Sequence, residues 1–111
     1  MTNKNIIGTF VFRSEGDGCL TSKYYQGNQD YPYVEAAKLY DYSKEHNDPF
    51  SGKYKSVWVQ NPNHEHLHAD LEITWNRNSN TYTLFWRGER ETMFEGIGMC
   101  YDDLLVGAYW D

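Results

Sequence analysis

Several features that would point directly to a function are rare or missing in this sequence of 111 residues. There are only 2 cysteines, Cys19 and Cys100, and neither belongs to a C-x-x-C pair, so a zinc or dithiol redox motif has no support. There is no run of Lys or Arg, and the formal net charge is -6. A basic surface for nucleic acid or anionic lipid is missing, and we expect no nucleic-acid partner and no membrane partner.

Long apolar segments are also missing. No stretch approaches the ~20 consecutive apolar residues that a membrane-spanning helix needs, and residues 1–5 lack the apolar segment of a secretory signal. We therefore expect a cytoplasmic protein. In a reducing cytosol, Cys19 and Cys100 are expected to remain free thiols.

Aromatic residues, in contrast, are abundant: they make up 17% of the chain, with 10 Tyr and 4 Trp. Such residues favour half-buried strands over helices. A chain of this length fits one domain with one modest core. We therefore expect a single, mostly β domain over residues 1–111.

The clearest alternation of apolar and polar residues lies between residues 67 and 76. One side holds Leu67, Ala69, Leu71, Ile73 and Trp75, and the other holds His68, Asp70, Glu72, Thr74 and Asn76. Period-two alternation predicts a strand with one buried face. In the following segment, Tyr82, Leu84 and Trp86 share one face in the same way.

Further β-prone segments recur at intervals of roughly ten residues along the chain. Strands are predicted over 6–13, 19–25, 52–60, 67–76, 81–87, 92–101 and 104–110, with a hairpin turn in 14–18. This pattern is typical of an antiparallel up-and-down β-barrel of about seven to eight strands. Closure is expected because a flat sheet would expose two long edges.

One short helix is predicted over 33–44, with Pro32 near its first turn. Val34, Ala37 and either Tyr40 or Tyr42 would lie along one side. We expect this helix to cover the barrel mouth or an unpaired edge.

Three glycines, Gly96, Gly98 and Gly107, fall inside predicted strands. Gly96 and Gly98 neither follow a strand nor open a helix, so they do not form a dinucleotide-binding fingerprint, and we expect them to be corner residues. All three glycines are expected at sharp bends or where a bulky neighbour lies across the strand, with Tyr, Phe or Trp from adjacent strands using the missing volume.

The segments 94–99 and 105–110, together with Gly52-x-Tyr54-x-x-x-Trp58 and Tyr82-x-Leu84-x-Trp86, form a recognisable pattern. It resembles that of small bacterial lipocalin-like (calycin-type) β-barrels of uncharacterised role, over roughly the last sixty residues. The resemblance implies a barrel whose interior can hold a small apolar ligand. It implies no catalytic residue.

The candidate ligand-binding residues are aromatic side chains that can face the barrel interior. They are Tyr54, Trp58, Trp75, Tyr82, Trp86, Phe94 and Trp110. Two interpretations remain open: these rings line a cavity, or they simply fill a barrel whose interior has little spare room.

The histidines His64, His66 and His68, continued by Asp70, have the spacing of a metal site on one side of a strand. The apolar residues occupy the opposite side, so these groups are expected in solvent, and no metal site is assigned.

The other candidate catalytic groups also lack neighbouring residues that would form an active site with them. The two carboxylate clusters lie in a predicted turn (Asp102 and Asp103) or in a solvated loop and strand margin (Glu89, Glu91 and Glu95). Cys19 has no assignable His partner. No catalytic residue and no cofactor is assigned.

The favoured function is therefore a small-molecule binding module. The alternatives are a small enzyme or metal-binding protein with a polar site at the barrel mouth, and a structural or interaction module. Tyr109 and Phe85 are expected on outer faces of the barrel, where such aromatic residues would favour a homodimer.

Overall fold

The computed structural model describes residues 7–27, 29–41, 48–59, 66–88 and 92–111. Its strands are β1 (Ile7–Gly16), β2 (Cys19–Gln26), β3 (Tyr33–Asp41), β4 (Gly52–Val59), β5 (His66–Asn76), β6 (Thr81–Arg87), β7 (Thr92–Tyr101) and β8 (Leu104–Trp110). Each strand pairs antiparallel with the next, and β8 pairs with β1, which closes the barrel. The predicted antiparallel up-and-down barrel is confirmed. Within the described ranges, no helix is long and apolar enough to cross a membrane.

The helix predicted over 33–44 is wrong where the structure describes it, because residues Tyr33–Asp41 form β3; residues 42–47 lie outside the described part of the chain. Side chains along β3 alternate, with Glu35 and Ala37 buried and Lys38 exposed. Local helix propensity differs by at most about 0.7 kcal/mol per ordinary residue. Pairing with both β2 and β4 outweighs it, because a barrel without β3 would have two open edges.

The first hairpin, predicted over residues 6–25, is confirmed as β1 and β2. Asp17 and Gly18 connect the strands, with φ angles of 53° and 74°. Positive φ at both positions is what a two-residue type I′ turn requires, and Asp-Gly is among the pairs that adopt it most readily.

The alternation predicted for β5 is confirmed as well. Leu71 and Ile73 are almost fully buried, whereas His68 and Thr74 are exposed. On β6, the predicted inner face of Tyr82, Leu84 and Trp86 is buried. These two strands contribute much of the interior of the barrel.

A single ring, that of Phe10 on β1, lies over the three strand glycines. A Cβ added to Gly96, Gly98 or Gly107 would stand 3.4, 3.2 and 2.8 Å from the nearest atom of this ring. The prediction that an aromatic neighbour uses the missing volume is confirmed. The glycines let Phe10 approach the backbone of β7 and β8 closely.

One end of the barrel is filled by Phe50, from the connection between β3 and β4; we call it the plugged end. Phe50 is 1% exposed and packs edge-to-face on Tyr82, with ring centroids 6.2 Å apart. Tyr54 Oη donates a hydrogen bond to Phe50 O at 2.8 Å. The carboxylate of Asp48 accepts bonds from the backbone N–H groups of Phe50 and Ser51, which fixes the turn that inserts the ring.

Candidate functional site

A cavity of about 110 Å³ lies in the opposite half of the barrel, which we call the open end. This is the end at which β2, β4 and β6 finish and β3, β5 and β7 begin. Aromatic side chains form most of its wall: Phe10, Tyr24, Trp58, Trp86, Phe94 and Tyr109. The polar lining residues are Gln26, Gln29 and Glu35. The cavity is therefore an apolar space with a few polar groups.

The rings around the cavity pack against one another edge to face. Phe94 and Tyr109 have centroids 5.7 Å apart at 85°, and Trp58 packs on Phe94 at 6.4 Å. On the other side, Phe10 packs on Trp86 at 5.9 Å. Edge-to-face pairs are favourable contacts that hold each ring in place, so the wall is preorganised rather than loosely filled.

Glu35, on β3, is the one charged side chain among the described residues that line the cavity. It is 4% exposed. Trp86 Nε1 donates a hydrogen bond to Glu35 Oε2 at 2.7 Å, and Ser56 Oγ donates to the same oxygen. Within the described part of the chain, no Lys, Arg or His pairs with this carboxyl group. Its other oxygen, Oε1, accepts no hydrogen bond there.

Burial raises the pKa of Glu35 from 4.5 to about 7, while the hydrogen bonds from Ser56 and Trp86 act in the opposite direction. Burial dominates because the charged form loses its hydration and no cation among the described residues replaces it. The carboxyl group can therefore take up or release a proton near neutral pH.

Two phenols lie close to this carboxyl group. Burial and, after it, the charge of Glu35 raise the pKa of both Tyr24 and Tyr109, so both hydroxyl groups stay protonated at neutral pH. Tyr109 Oη donates to Gln26 Oε1 at 2.7 Å, which bridges β8 and β2 across the cavity wall.

Gln29, which follows β2, is a buried polar residue at the cavity. Its Nε2 donates to the backbone oxygens of Tyr24 and Tyr31 at 3.3 and 3.1 Å. Its Oε1 is buried and has no hydrogen-bond partner among the described residues. An unsatisfied acceptor of this kind costs about 1–3 kcal/mol, so a donor brought to it would be favourable.

The structure brings together three of the predicted ligand-binding residues, namely Trp58, Trp86 and Phe94, and places the other four elsewhere. Tyr54 and Tyr82 pack around Phe50 at the plugged end. Trp75 is half-buried, and its Nε1 donates to Asn80 Oδ1 at 3.0 Å in the β5–β6 hairpin. Trp110 lies on the outer face of the barrel, since it follows the inward-facing Tyr109 on β8 and pairs with exposed Ile7 on β1.

Sequence reasoning missed the polar half of this site, because Glu35 was assigned to a helix. The available signal was the inward row Glu35, Ala37 and Leu39, in which one acidic residue continues an otherwise apolar alternation. Tyr109 was expected on an outer face, but it is 6% exposed and lines the cavity. The suggested reason for a homodimer at Tyr109 is therefore wrong. Phe85 is partly buried, with the Arg87 guanidinium 4.9 Å from its ring centroid.

The other candidate groups are only partly described. His64, Glu89 and Glu91 lie outside the described residues, whereas His68 and Glu95 are exposed. The described residues contain no group of three or more His, Cys, Asp and Glu side chains that could hold a metal ion. Asp102 and Asp103 form the turn between β7 and β8, and both cysteines are free.

No family model, no curated protein and no solved structure matches this chain. The closed antiparallel barrel of eight strands is consistent with a calycin-like fold. The narrower resemblance to bacterial lipocalin-like proteins stays a prediction. Fold and site together define a small β-barrel with an aromatic cavity at one end.

Proposed function

We propose that this protein binds a small, mostly apolar molecule in the cavity at the open end. The observation that carries the proposal is a preorganised aromatic wall around unfilled space, with Glu35 and Gln29 as its buried polar groups. Ligand sites in proteins are typically concave and apolar, with a few polar groups that orient the ligand.

The contrast between the two barrel ends supports binding over simple core filling. At the plugged end, Phe50, Tyr54 and Tyr82 occupy the interior. At the open end, Trp58, Trp86 and Phe94 surround a volume of about 110 Å³. The aromatic residues of one half thus fill the interior, whereas those of the other half surround a cavity.

The volume limits the size of the ligand. Apolar cavities of about 150 Å³ bind benzene, so this cavity suits a ligand body of about one ring. For so small a ligand, we expect a Kd of about 10 µM to 1 mM.

The alternative of a small enzyme with a polar site at the barrel mouth has less support. Glu35 is a buried carboxyl group that titrates near neutrality, but no second acid, thiol or histidine accompanies it among the described lining residues. A general acid–base mechanism needs a partner group positioned on the substrate. Cytoplasmic location and a homodimer stay predictions, and light scattering tests the latter.

The proposal is tested by titrating the protein with benzyl alcohol. Binding is measured by calorimetry and by tryptophan fluorescence, excited at the long-wavelength edge of the tryptophan absorption band. Trp58 and Trp86 line the cavity, so saturable binding should change their emission at a stoichiometry of one. Leu67→Trp places a larger side chain in the cavity wall and should weaken binding at least about tenfold in calorimetry.

The matched control for this variant is Leu104→Trp, at a partly exposed position that alternates with the buried Leu105 on β8. It should bind benzyl alcohol like the native protein. Absence of saturable heat in the native protein, or unchanged binding in Leu67→Trp, would contradict the proposed function.

A further inference from the structure

We propose that the cavity selects small organic cations, in which an ammonium group on a ring-sized apolar body pairs with the Glu35 carboxylate. This inference rests on the proposed function, since it names the ligand class of the same cavity. It arises from the arrangement of hydrogen bonds around Glu35 and from the charges and rings that face it.

The two protein donors reach only one oxygen of the Glu35 carboxyl group. Trp86 Nε1 and Ser56 Oγ both donate to Oε2 and hold the group in a fixed orientation. Oε1 accepts no hydrogen bond from the described residues. A ligand ammonium group brings three N–H donors and a positive charge, which is what a buried, unpaired carboxylate lacks.

The surrounding rings can attract a cation that lies over one of their faces. Trp86 and Tyr109 lie with centroids 6.1 Å apart, and Trp58 and Phe94 complete the wall. A cation within about 6 Å of aromatic faces gains attraction from the ring electrons, and this gain grows when water is excluded. Such rings also accommodate the apolar body of the ligand.

The charge of the protein acts in the same direction. No Lys, Arg or His lines the cavity within the described residues, and the formal net charge is -6. An anionic ligand would meet Glu35 without a compensating cation, whereas a cation is attracted by both the site and the whole molecule.

The test compares two ligands of nearly equal shape, benzylammonium and benzyl alcohol, by calorimetry at pH 8. The native protein should bind benzylammonium at least about tenfold more tightly, because its ammonium group forms an ion pair with the carboxylate, whereas the hydroxyl group of benzyl alcohol is uncharged. Glu35→Gln should abolish this ratio, because a neutral amide cannot pair with the ammonium group.

Glu95→Gln is the matched control, since it removes one negative charge from an exposed position on β7. It should keep the native ratio, which separates the cavity carboxylate from general attraction to an acidic protein.

A second measurement needs no variant. Between pH 8 and pH 6, the affinity for benzylammonium should fall severalfold as Glu35 takes up a proton, and that for benzyl alcohol should stay constant. Among the described residues, the other titratable groups close to Glu35 are the phenols of Tyr24 and Tyr109, and both stay protonated over this range.

The outcomes separate the two proposals. Equal affinities for the two ligands in the native protein, or a ratio that persists in Glu35→Gln, would overturn cation selection and leave ligand binding intact. Failure of both ligands to bind would overturn the proposed function and the cation selection with it.

Discussion

Trp86 Nε1 donates a hydrogen bond to Glu35 Oε2 at 2.7 Å, although 51 positions separate the two residues in the sequence. The bond crosses the barrel interior between β6 and β3, which are not neighbours in the sheet. Ser56 on β4 donates to the same oxygen. Three strands thus position one buried carboxyl group at the cavity, and its chemistry gives the first two predictions.

We predict that the native protein loses stability as pH rises from about 5 to 7. Glu35 has a pKa of about 7 when folded and 4.5 as its ordinary value, so the folded state binds more protons in this window. The free energy of unfolding should fall by about 2 kcal/mol between pH 5 and pH 7 and level off above about pH 8. Urea unfolding at pH 5, 6, 7 and 8 measures this.

Glu35→Gln removes the titrating group and should flatten that profile, whereas exposed Glu95→Gln should keep the native slope. A native protein whose stability is constant or rises over this window would show that burial does not raise the pKa of Glu35.

Replacing Trp86 by Phe removes a donor to the carboxylate while keeping an aromatic ring. Because that hydrogen bond lowers the pKa of Glu35, its loss should move the pKa further above the native value, as followed by the NMR signal of the Glu35 carboxyl carbon. The variant should also lose about 1–3 kcal/mol of stability.

The matched control is Trp75→Phe, because the indole N–H of Trp75 donates to Asn80 in an exposed hairpin. It should leave the Glu35 titration at its native midpoint. An unchanged titration in Trp86→Phe would mean that the interior hydrogen bond does not tune this group.

Gly107→Ala tests the close approach of β7, β8 and Phe10. A Cβ at this position would lie 2.0 Å from Ile97 O and 2.7 Å from Gly98 Cα, both backbone atoms that cannot rotate away. We predict a loss of about 3 kcal/mol or more, measured by urea unfolding. Gly27→Ala, where nothing lies within 4 Å of the added carbon, should stay within about 0.5 kcal/mol of the native protein.

Phe50→Ala tests the plugged end. Removing the buried ring should cost about 3–5 kcal/mol, while Phe50→Leu, which keeps most of the apolar volume, should cost clearly less. Both variants should still bind benzyl alcohol at the opposite end when measured below their unfolding transitions. Loss of binding in Phe50→Leu would mean that the two halves of the barrel do not act independently.

Much of the fold follows from local pattern. The alternation of apolar residues such as Leu71 and Ile73 with polar residues predicted a strand with one buried face. The glycines beside Asp17 predicted a hairpin turn. The expectation that the three strand glycines accommodate an aromatic ring was correct. The sequence did not identify Phe10 as that ring, because Phe10 lies about 90 residues away at the other end of the chain.

The failure at β3 and the missed site have one cause. The helix was predicted from Pro32 and from the spacing of Val34 and Ala37, and this prediction gave Glu35 no inward-facing strand position. Only closure of the barrel decides the matter, because β2 and β4 both need a partner at that place.

The sequence by itself determined the β class, the alternation and most strand positions, since these depend on neighbours one or two residues apart. Tertiary structure alone decided which end Phe50 fills, which aromatic rings meet and that Glu35 lies among them. The physical reason is that cavities and buried charges arise from contacts between distant strands, and no local pattern encodes how much space those contacts leave.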